Sequence, residues 1–305
     1  MNTKEWVMLQ FNSQTVKTLS PDKSSPQLNQ AVLLANDWLN RKENFIFHTS
    51  GSTGIPKKII LTRSQLEASA SATIKTLQLN KKENVFVCLN THLIAGAMMI
   101  VRGLVLGCEI FIVDPTSDPL KLLSDNHVMT FSSFVPMQLH HLLEGDSVSL
   151  KKLNRFKNIL VGGASINRKL EEKFSQLECR CFHTYGMTET VSHIALREIG
   201  KEKYFTSMEG VELKKDENNC LQIRSPSTKN DWIKTNDVVE LITEKQFSVL
   251  GRSDEVINTG GIKIFPQRIE SALEVIFEEM NLRVTEFFVA SEPDEVLGER
   301  LVVIL

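Results

Sequence analysis

Between Phe45 and His183 the chain repeats one pattern, a short apolar run followed by a helical stretch, and this repetition restricts the fold more than anything else in it. The runs at 45–47, 85–89, 109–113, 158–161 and 180–183 are too short to be helices. They are also too continuously apolar for strands with one wet face, so they read as buried strands. Helical spacing fills 63–79, 94–106, 136–143 and 167–177. Thr62 stands where an N-cap is needed for the first of these helices, and Asn167 or Ile166 opens the last. Strands alternating with helices predict an α/β domain built on a largely parallel sheet, its strands flanked by helices. Residues 1–43 read as polar and mixed, with one helix near 27–40.

After Ser192 the period changes. Short alternating runs at 193–197, 221–224, 232–234, 238–242 and 247–250, with turn residues at 216–219, read as a small β region. A boundary at Gly251–Asp254 leads into a small α+β domain with runs at 255–257 and 262–265, a helix over 266–277 that opens on Pro266, and strands at 285–290 and 300–305. The expected division is a large domain over 1–252 and a small, mobile domain over 253–305. The last run, 300–305, is apolar and has no cap or turn, so the small domain is expected to be incomplete.

Composition narrows the function classes. A net charge of −2 over 305 residues gives no field to attract nucleic acid. The five cysteines, Cys88, Cys108, Cys179, Cys181 and Cys220, are odd in number and irregular in spacing, which fits reduced thiols and a cytoplasmic protein. The most apolar stretch, 93–113, is broken by Arg102, Gly103, Gly107 and Glu109, so it reads as a buried helix and strand and not as a membrane span. Cys179-x-Cys181-x-His183 cannot easily wrap tetrahedrally round one zinc and reads better as buried core. His92, His140 and His141 have no nucleophile partner, and Gly-x-Ser-x-Gly is absent, which leaves hydrolase chemistry unsupported.

Four segments have chemical content. Phe47-His48-Thr49-Ser50-Gly51-Ser52-Thr53-Gly54-Ile55-Pro56-Lys57 joins a strand to a loop of hydroxyls and glycines closed by a lysine. Such a loop brings backbone N–H groups, hydroxyls and a charge to a polyphosphate, although a solvated linker has the same composition. It is not the common G-x-x-x-x-G-K-[ST] loop. Tyr185-Gly186-Met187-Thr188-Glu189 follows a strand and offers a ring for a base, a hydroxyl for a phosphate and a carboxylate for Mg2+; a capped helix start is the plainer alternative. Gly162-Gly163-Ala164 permits a flat ligand to lie on backbone, or is an ordinary turn. Asp237 and Arg252 suit ribose hydroxyls, or form a surface ion pair, and Gly260-Gly261 follows.

In this order, Thr49–Lys57, Gly162–Ala164, Tyr185–Glu189, Thr235–Asp237 and Gly251–Glu270 resemble the adenylate-forming superfamily of acyl-CoA synthetases, luciferases and peptide-synthetase adenylation domains. Residues 94–99 and 185–197 are similar to its branch of ligases that join o-succinylbenzoate to CoA in menaquinone synthesis. The resemblance implies a two-step reaction of a small carboxylic acid with Mg-ATP and then CoA. It implies that Thr49, Ser50, Gly51, Ser52, Thr53, Gly54 and Lys57 hold the β- and γ-phosphates, that Thr188 contacts the α-phosphate, and that Glu189 binds Mg2+. Gly162, Gly163, Ala164, Tyr185 and Gly186 would surround the adenine, and Asp237 and Arg252 the ribose. Asp254 would be the hinge, and Gly260 and Gly261 would face the CoA thiol. No nucleic acid or membrane partner is implied, and a homodimer is compatible with the sequence.

The departures are Asn236 in place of the usual glycine, an early phosphate loop, and the lack of the family's late adenylation lysine, since Lys234, Lys245 and Lys263 stand in other contexts. Adenylation by residues 1–305 alone is therefore expected to be impaired. Competing readings are a ligase for another aryl or acyl acid and a non-catalytic nucleotide-binding protein. A kinase or GTPase is disfavoured for want of its signatures.

Overall fold

The computed structural model describes residues 6–12, 15–19, 25–48, 57–124, 126–282, 284 and 287–305. The chain forms two compact units, one of residues 1–211 with 225–231 and one of 212–224 with 232–305.

The strands of the first unit are β1 (Trp6–Asn12), β2 (Thr15–Leu19), β3 (Asn44–His48), β4 (Lys58–Thr62), β5 (Asn84–Val87), β6 (Glu109–Val113), β7 (Phe131–Phe134), β8 (Asn158–Val161), β9 (Arg180–Met187), β10 (Ser192–Glu198) and β11 (Phe205–Ser207). Nine of them form one sheet segment in the order β11-β10-β9-β8-β7-β5-β6-β1-β2. From β6 to β9 every pairing is parallel. Antiparallel strands extend this parallel centre on both flanks, β1 and β2 on one side and β10 and β11 on the other. The β1–β2 hairpin lies where the sequence showed only a polar, mixed stretch.

The apolar runs are continuous because both faces of the parallel centre are covered. Val85, Val87, Ile110 and Ile112 enter one core cluster, whereas Phe86, Phe111 and Val113 enter the other. This is the two-residue alternation of a strand. The first face is covered by helices α1 (Pro26–Leu39), α2 (Arg63–Leu77) and α3 (Ile94–Leu106), through residues such as Ala31, Leu66 and Met98. The second is covered by α4 (Pro136–Glu144), α5 (Ser147–Leu153) and α6 (Arg168–Lys173), through Leu139, Leu153 and Leu170. Thr62 caps α2 in a reciprocal box with Gln65, and Asn167 caps α6 by accepting from the Leu170 N–H at 2.9 Å.

In the second unit β12 (Glu212–Lys215), β13 (Cys220–Arg224), β14 (Ile233–Leu241) and β15 (Gln246–Arg252) form an antiparallel meander. A four-stranded sheet follows in the order β17-β16-β19-β18, from β16 (Ile257–Thr259), β17 (Ile262–Ile264), β18 (Phe288–Asp294) and β19 (Gly298–Ile304), with α7 (Pro266–Glu279) between its hairpins. Among the described residues no helix is long and apolar enough to cross a membrane.

Candidate active site

A cavity of about 710 Å3 opens at the carboxyl ends of the parallel strands of the first unit. In open α/β sheets ligands gather at this edge. Gly162, Gly163, Gly186 and Thr188 line it, four of the residues singled out in the sequence. A Cβ on Gly162 would stand 2.2 Å from the Thr184 hydroxyl, and one on Gly186 would stand 2.2 Å from the Ser192 carbonyl. The wall is therefore backbone drawn in close, a surface on which a flat group can lie.

Of the other expected residues of this unit, Ala164, Tyr185 and Glu189 adjoin the cavity wall in sequence. Ala164 is exposed in the turn after β8. Tyr185 sits between the two wall positions Thr184 and Gly186, its ring 5.8 Å from that of Phe205. Glu189 is half-buried in the single 3-10 turn Thr188–Thr190. Lys57 is exposed just before β4. Thr49, Ser50, Gly51, Ser52, Thr53 and Gly54 lie outside the described residues.

The turn that carries Thr188 and Glu189 is held from several directions. The buried Thr190 hydroxyl accepts from the Met187 N–H at 3.0 Å and lies 2.8 Å from the Ser192 carbonyl. The Ser227 hydroxyl donates to the Thr190 carbonyl at 3.0 Å, and the Ser69 hydroxyl donates to the Val191 carbonyl. Val191 and Ser192 both take left-handed backbone, with φ of 58° and 77°. For a β-branched residue this costs on the order of 1–3 kcal/mol, and the packing of a fully buried Val191 holds it there.

Beneath the cavity lies a group that the motifs do not announce. Arg102, on α3, borders the cavity and is 1% exposed. Burial pulls its pKa down to about 9. Its Nε donates to the Thr73 hydroxyl at 3.2 Å, and its Nη2 to the Ser192 hydroxyl at 3.2 Å and to His193 Nδ1 at 3.4 Å. Among the described residues its Nη1 reaches only the Met99 thioether, at 3.7 Å. No carboxylate among the described residues pairs with this cation. A buried, unpaired charge is costly, so a chain that keeps one has a cation to offer an incoming anion. The sequence signal is Arg102 interrupting an apolar helix with no acidic residue within a turn of it; Ser192 and His193 lie within the resembling segment 185–197 without standing out in it, and Thr73 gives no signal.

In the second unit Asp237 stands opposite Arg252 across β14 and β15, with Arg252 Nη1 3.6 Å from Asp237 Oδ1. Arg252 also holds Asp254 in two hydrogen bonds, of 3.0 and 2.8 Å. This pairing keeps the Asp254 carboxyl below its usual range. Glu255 lies 3.6 Å from the same guanidinium. Gly260 and Gly261 form the two-residue turn between β16 and β17, with φ of 57° and 82°. Such a turn demands positive φ at both places. No three His, Cys, Asp or Glu side chains among the described residues converge as a metal cage.

The family model for AMP-binding enzymes matches residues 7–218. The chain belongs to that family. A 2-succinylbenzoate–CoA ligase of Escherichia coli is 27% identical over 273 residues, which is 84% of this chain and 57% of the relative. A probable 2-succinylbenzoate–CoA ligase of Mycobacterium tuberculosis is 28% identical over 83% of this chain and 68% of its own length. The chain thus spans little more than half of the Escherichia coli relative. Among solved structures, an acyl-CoA synthetase (AMP-forming)/AMP-acid ligase II-like protein from Dyadobacter fermentans is 40% identical, with a TM-score of 0.71, over 93% of this chain and 80% of the other. The fold is also that of the Bacillus subtilis o-succinylbenzoate CoA synthetase solved with ATP and magnesium, with a TM-score of 0.70 and 23% identity over 85% of this chain and 58% of the other.

Proposed function

We propose that this chain is the adenylate-binding part of an acid–CoA ligase, and that its acid is an aromatic diacid of the o-succinylbenzoate type. One observation carries the reading. A cavity lined by Thr188 has a buried guanidinium at its edge and, among the described residues, no carboxylate for it. An acid with two carboxylates would give one to the reaction at Thr188 and the other to Arg102. The apolar wall from Leu89, Leu93 and Val135 suits the ring between them.

In the first step the acid's carboxylate oxygen attacks the α-phosphorus of ATP, the α–β phosphoanhydride bond breaks, and pyrophosphate leaves with its electron pair. In the second the CoA sulfur attacks the acyl carbon, its proton passes to solvent, and AMP leaves. Such steps depend on in-line placement and charge stabilisation more than on covalent help from the protein. Thr188 would donate to the α-phosphate, and Thr49–Gly54 with Lys57 would hold the outer phosphates. Gly162, Gly163, Ala164, Tyr185 and Gly186 would receive the adenine, and Asp237 and Arg252 the ribose. Asp254 would be the hinge that brings Gly260 and Gly261 to the CoA thiol.

A single carboxylate with the phosphates suffices for Mg2+, so Glu189 fits that role. Mg2+ would screen the polyphosphate charge. The five free thiols, four of them buried, suit the reducing cytoplasm.

Calorimetry with non-hydrolysable acyl-adenylate analogues tests the reading without turnover. We expect the o-succinylbenzoyl analogue to bind at least tenfold more tightly than the benzoyl, acetyl or long-chain ones. A preference for another acyl group overturns the substrate, equal binding of all leaves only an adenylate site, and no binding favours a non-catalytic role.

A further inference from the structure

The hydrogen bonds round Arg102 can be accounted for donor by donor, and the account points to His193. An arginine only donates, so His193 Nδ1, 3.4 Å from Arg102 Nη2, must be the accepting nitrogen. The proton of the neutral ring is then on Nε2, which lies 2.9 Å from the Thr73 hydroxyl and donates to it. That hydroxyl also accepts from Arg102 Nε and spends its own proton on the Ser69 carbonyl at 3.2 Å. Thr73 is fully buried and His193 is 5% exposed.

Each donor in this triangle has an acceptor, with one exception. The Nη1 edge of Arg102 has only a thioether, a weak acceptor, among the described residues. A flexible arginine would turn toward whichever acceptor came nearest. Here Nε and Nη2 are both fixed, so the direction of the planar fork is fixed too. Ser192 and His193 line the cavity together with Arg102, so a carboxylate bound there meets a guanidinium already oriented, and the ordering is not charged against binding.

We infer that His193, itself held by Thr73, is a positioning residue that fixes the Arg102 guanidinium and through it selects acids carrying a second carboxylate. The inference rests on the reading that this cavity receives the acyl group. A neutral imidazole suits the task because it accepts from the guanidinium without neutralising it. A carboxylate in its place would satisfy the cation and leave nothing for the substrate.

The test is the ratio of affinities for the o-succinylbenzoyl and benzoyl adenylate analogues, measured by calorimetry on the full chain and its variants. Damage to folding lowers both affinities together and leaves the ratio in place. His193→Ala and Thr73→Val should each lower the ratio about tenfold or more. His193→Gln, whose amide can accept from Arg102 and donate to Thr73, should restore it to within about threefold of wild type. Should His193→Ala fail to fold, the near-isosteric Thr73→Val still decides. A wild-type ratio kept in both variants overturns the role of His193 and leaves the substrate reading standing. A wild-type chain with no preference removes the substrate reading and this inference with it.

Discussion

Arg102 and Arg252 are the same side chain in opposite circumstances. Arg102 is buried, has no carboxylate among the described residues and is fixed by a threonine, a serine and a histidine. Arg252 is about one-third exposed and has Asp237, Asp254 and Glu255 within 3.6 Å. The first carries an uncompensated charge at a cavity; the second already has its charge balanced by the protein. The difference teaches where selectivity can reside. A ligand anion gains most from a desolvated cation that lacks a partner and less from one that must release three. On the proposed function, the acyl end of the substrate is read by the interior site, and the exposed cluster serves hydroxyl groups or domain movement.

The largest expected effect breaks the wall of the interior site. At Gly186 a Cβ would meet the Ser192 carbonyl and, at 2.5 Å, the His193 Cα, all backbone that cannot turn aside. The β9–β10 pairing also shifts register between His193 and Ala195 at this point. Gly186→Ala should cost about 3 kcal/mol or more in urea unfolding, because overpacking here displaces the strand that carries Ser192 and His193. Gly261 has positive φ but open space round its missing Cβ. Gly261→Asn should stay within about 0.5 kcal/mol of wild type, since asparagine tolerates that backbone. Equal losses at the two glycines would mean that the interior wall is no more tightly built than an exposed turn.

Next comes the cation itself. Arg102→Met keeps most of the volume and removes the charge. The desolvation cost disappears, but His193 Nδ1 and the Ser192 hydroxyl lose a donor. These effects oppose one another, so stability should stay within about 2 kcal/mol of wild type. Affinity for the o-succinylbenzoyl analogue should fall about 100-fold, the worth of a charge-assisted pair in a dry site. Unchanged affinity would place the second carboxylate elsewhere.

The same residues decide what is legible in the sequence. The parallel centre was legible because Val85–Val87 and Ile110–Val113 are apolar at every position, the mark of a strand covered on both faces. The β1–β2 hairpin was not, because an edge hairpin carries polar residues that periodicity reads as loop. At the site, Gly162, Gly163, Gly186 and Thr188 belong to contiguous motifs and were found as such. Thr73, Arg102 and His193 meet only through folding, from two helices and a strand at three separate places in the chain. Arg102 leaves a trace as a charge inside an apolar helix, which speaks against a membrane span without marking a site, and His193 is covered by the resembling segment 185–197 without being singled out.

Acid should separate the two regions more gently. Burial holds His193 well below the ordinary histidine value of 6.5, with Arg102 adding to the effect, and brings His183 down to about 4. A histidine kept neutral in the folded state contributes stability that is complete above the unfolded pKa near 6.5 and is lost as pH falls below it. Each of the two should make unfolding take up one more proton as pH falls below 6.5, a slope of up to about 1.4 kcal/mol per pH unit for each ring, which for His183 ends near pH 4. His193→Gln should remove roughly half of the two rings' combined slope in urea titrations at pH 7.5, 6 and 5. A slope unchanged by His193→Gln would mean that this ring is protonated in the native state as readily as in the unfolded one.

The smallest effect belongs to the exposed cluster. Arg252 holds Asp254 below the usual carboxyl range, aided by Asn236. A carboxylate of lowered pKa stabilises the fold above its unfolded value, near 3.8, and loses that contribution only as pH falls further. The cluster therefore adds nothing to the histidine slope between pH 7.5 and 5. Arg252→Lys keeps the charge and loses the two-pronged grip on Asp254. Exposed ion pairs contribute little, so unfolding should change by less than about 1 kcal/mol, and by less still in 1 M salt. If Arg252 also serves the ribose, the same variant should weaken AMP binding about threefold while leaving the preference for the diacid analogue intact. A variant that lost the diacid preference would join the two arginines into one site and end the distinction between them.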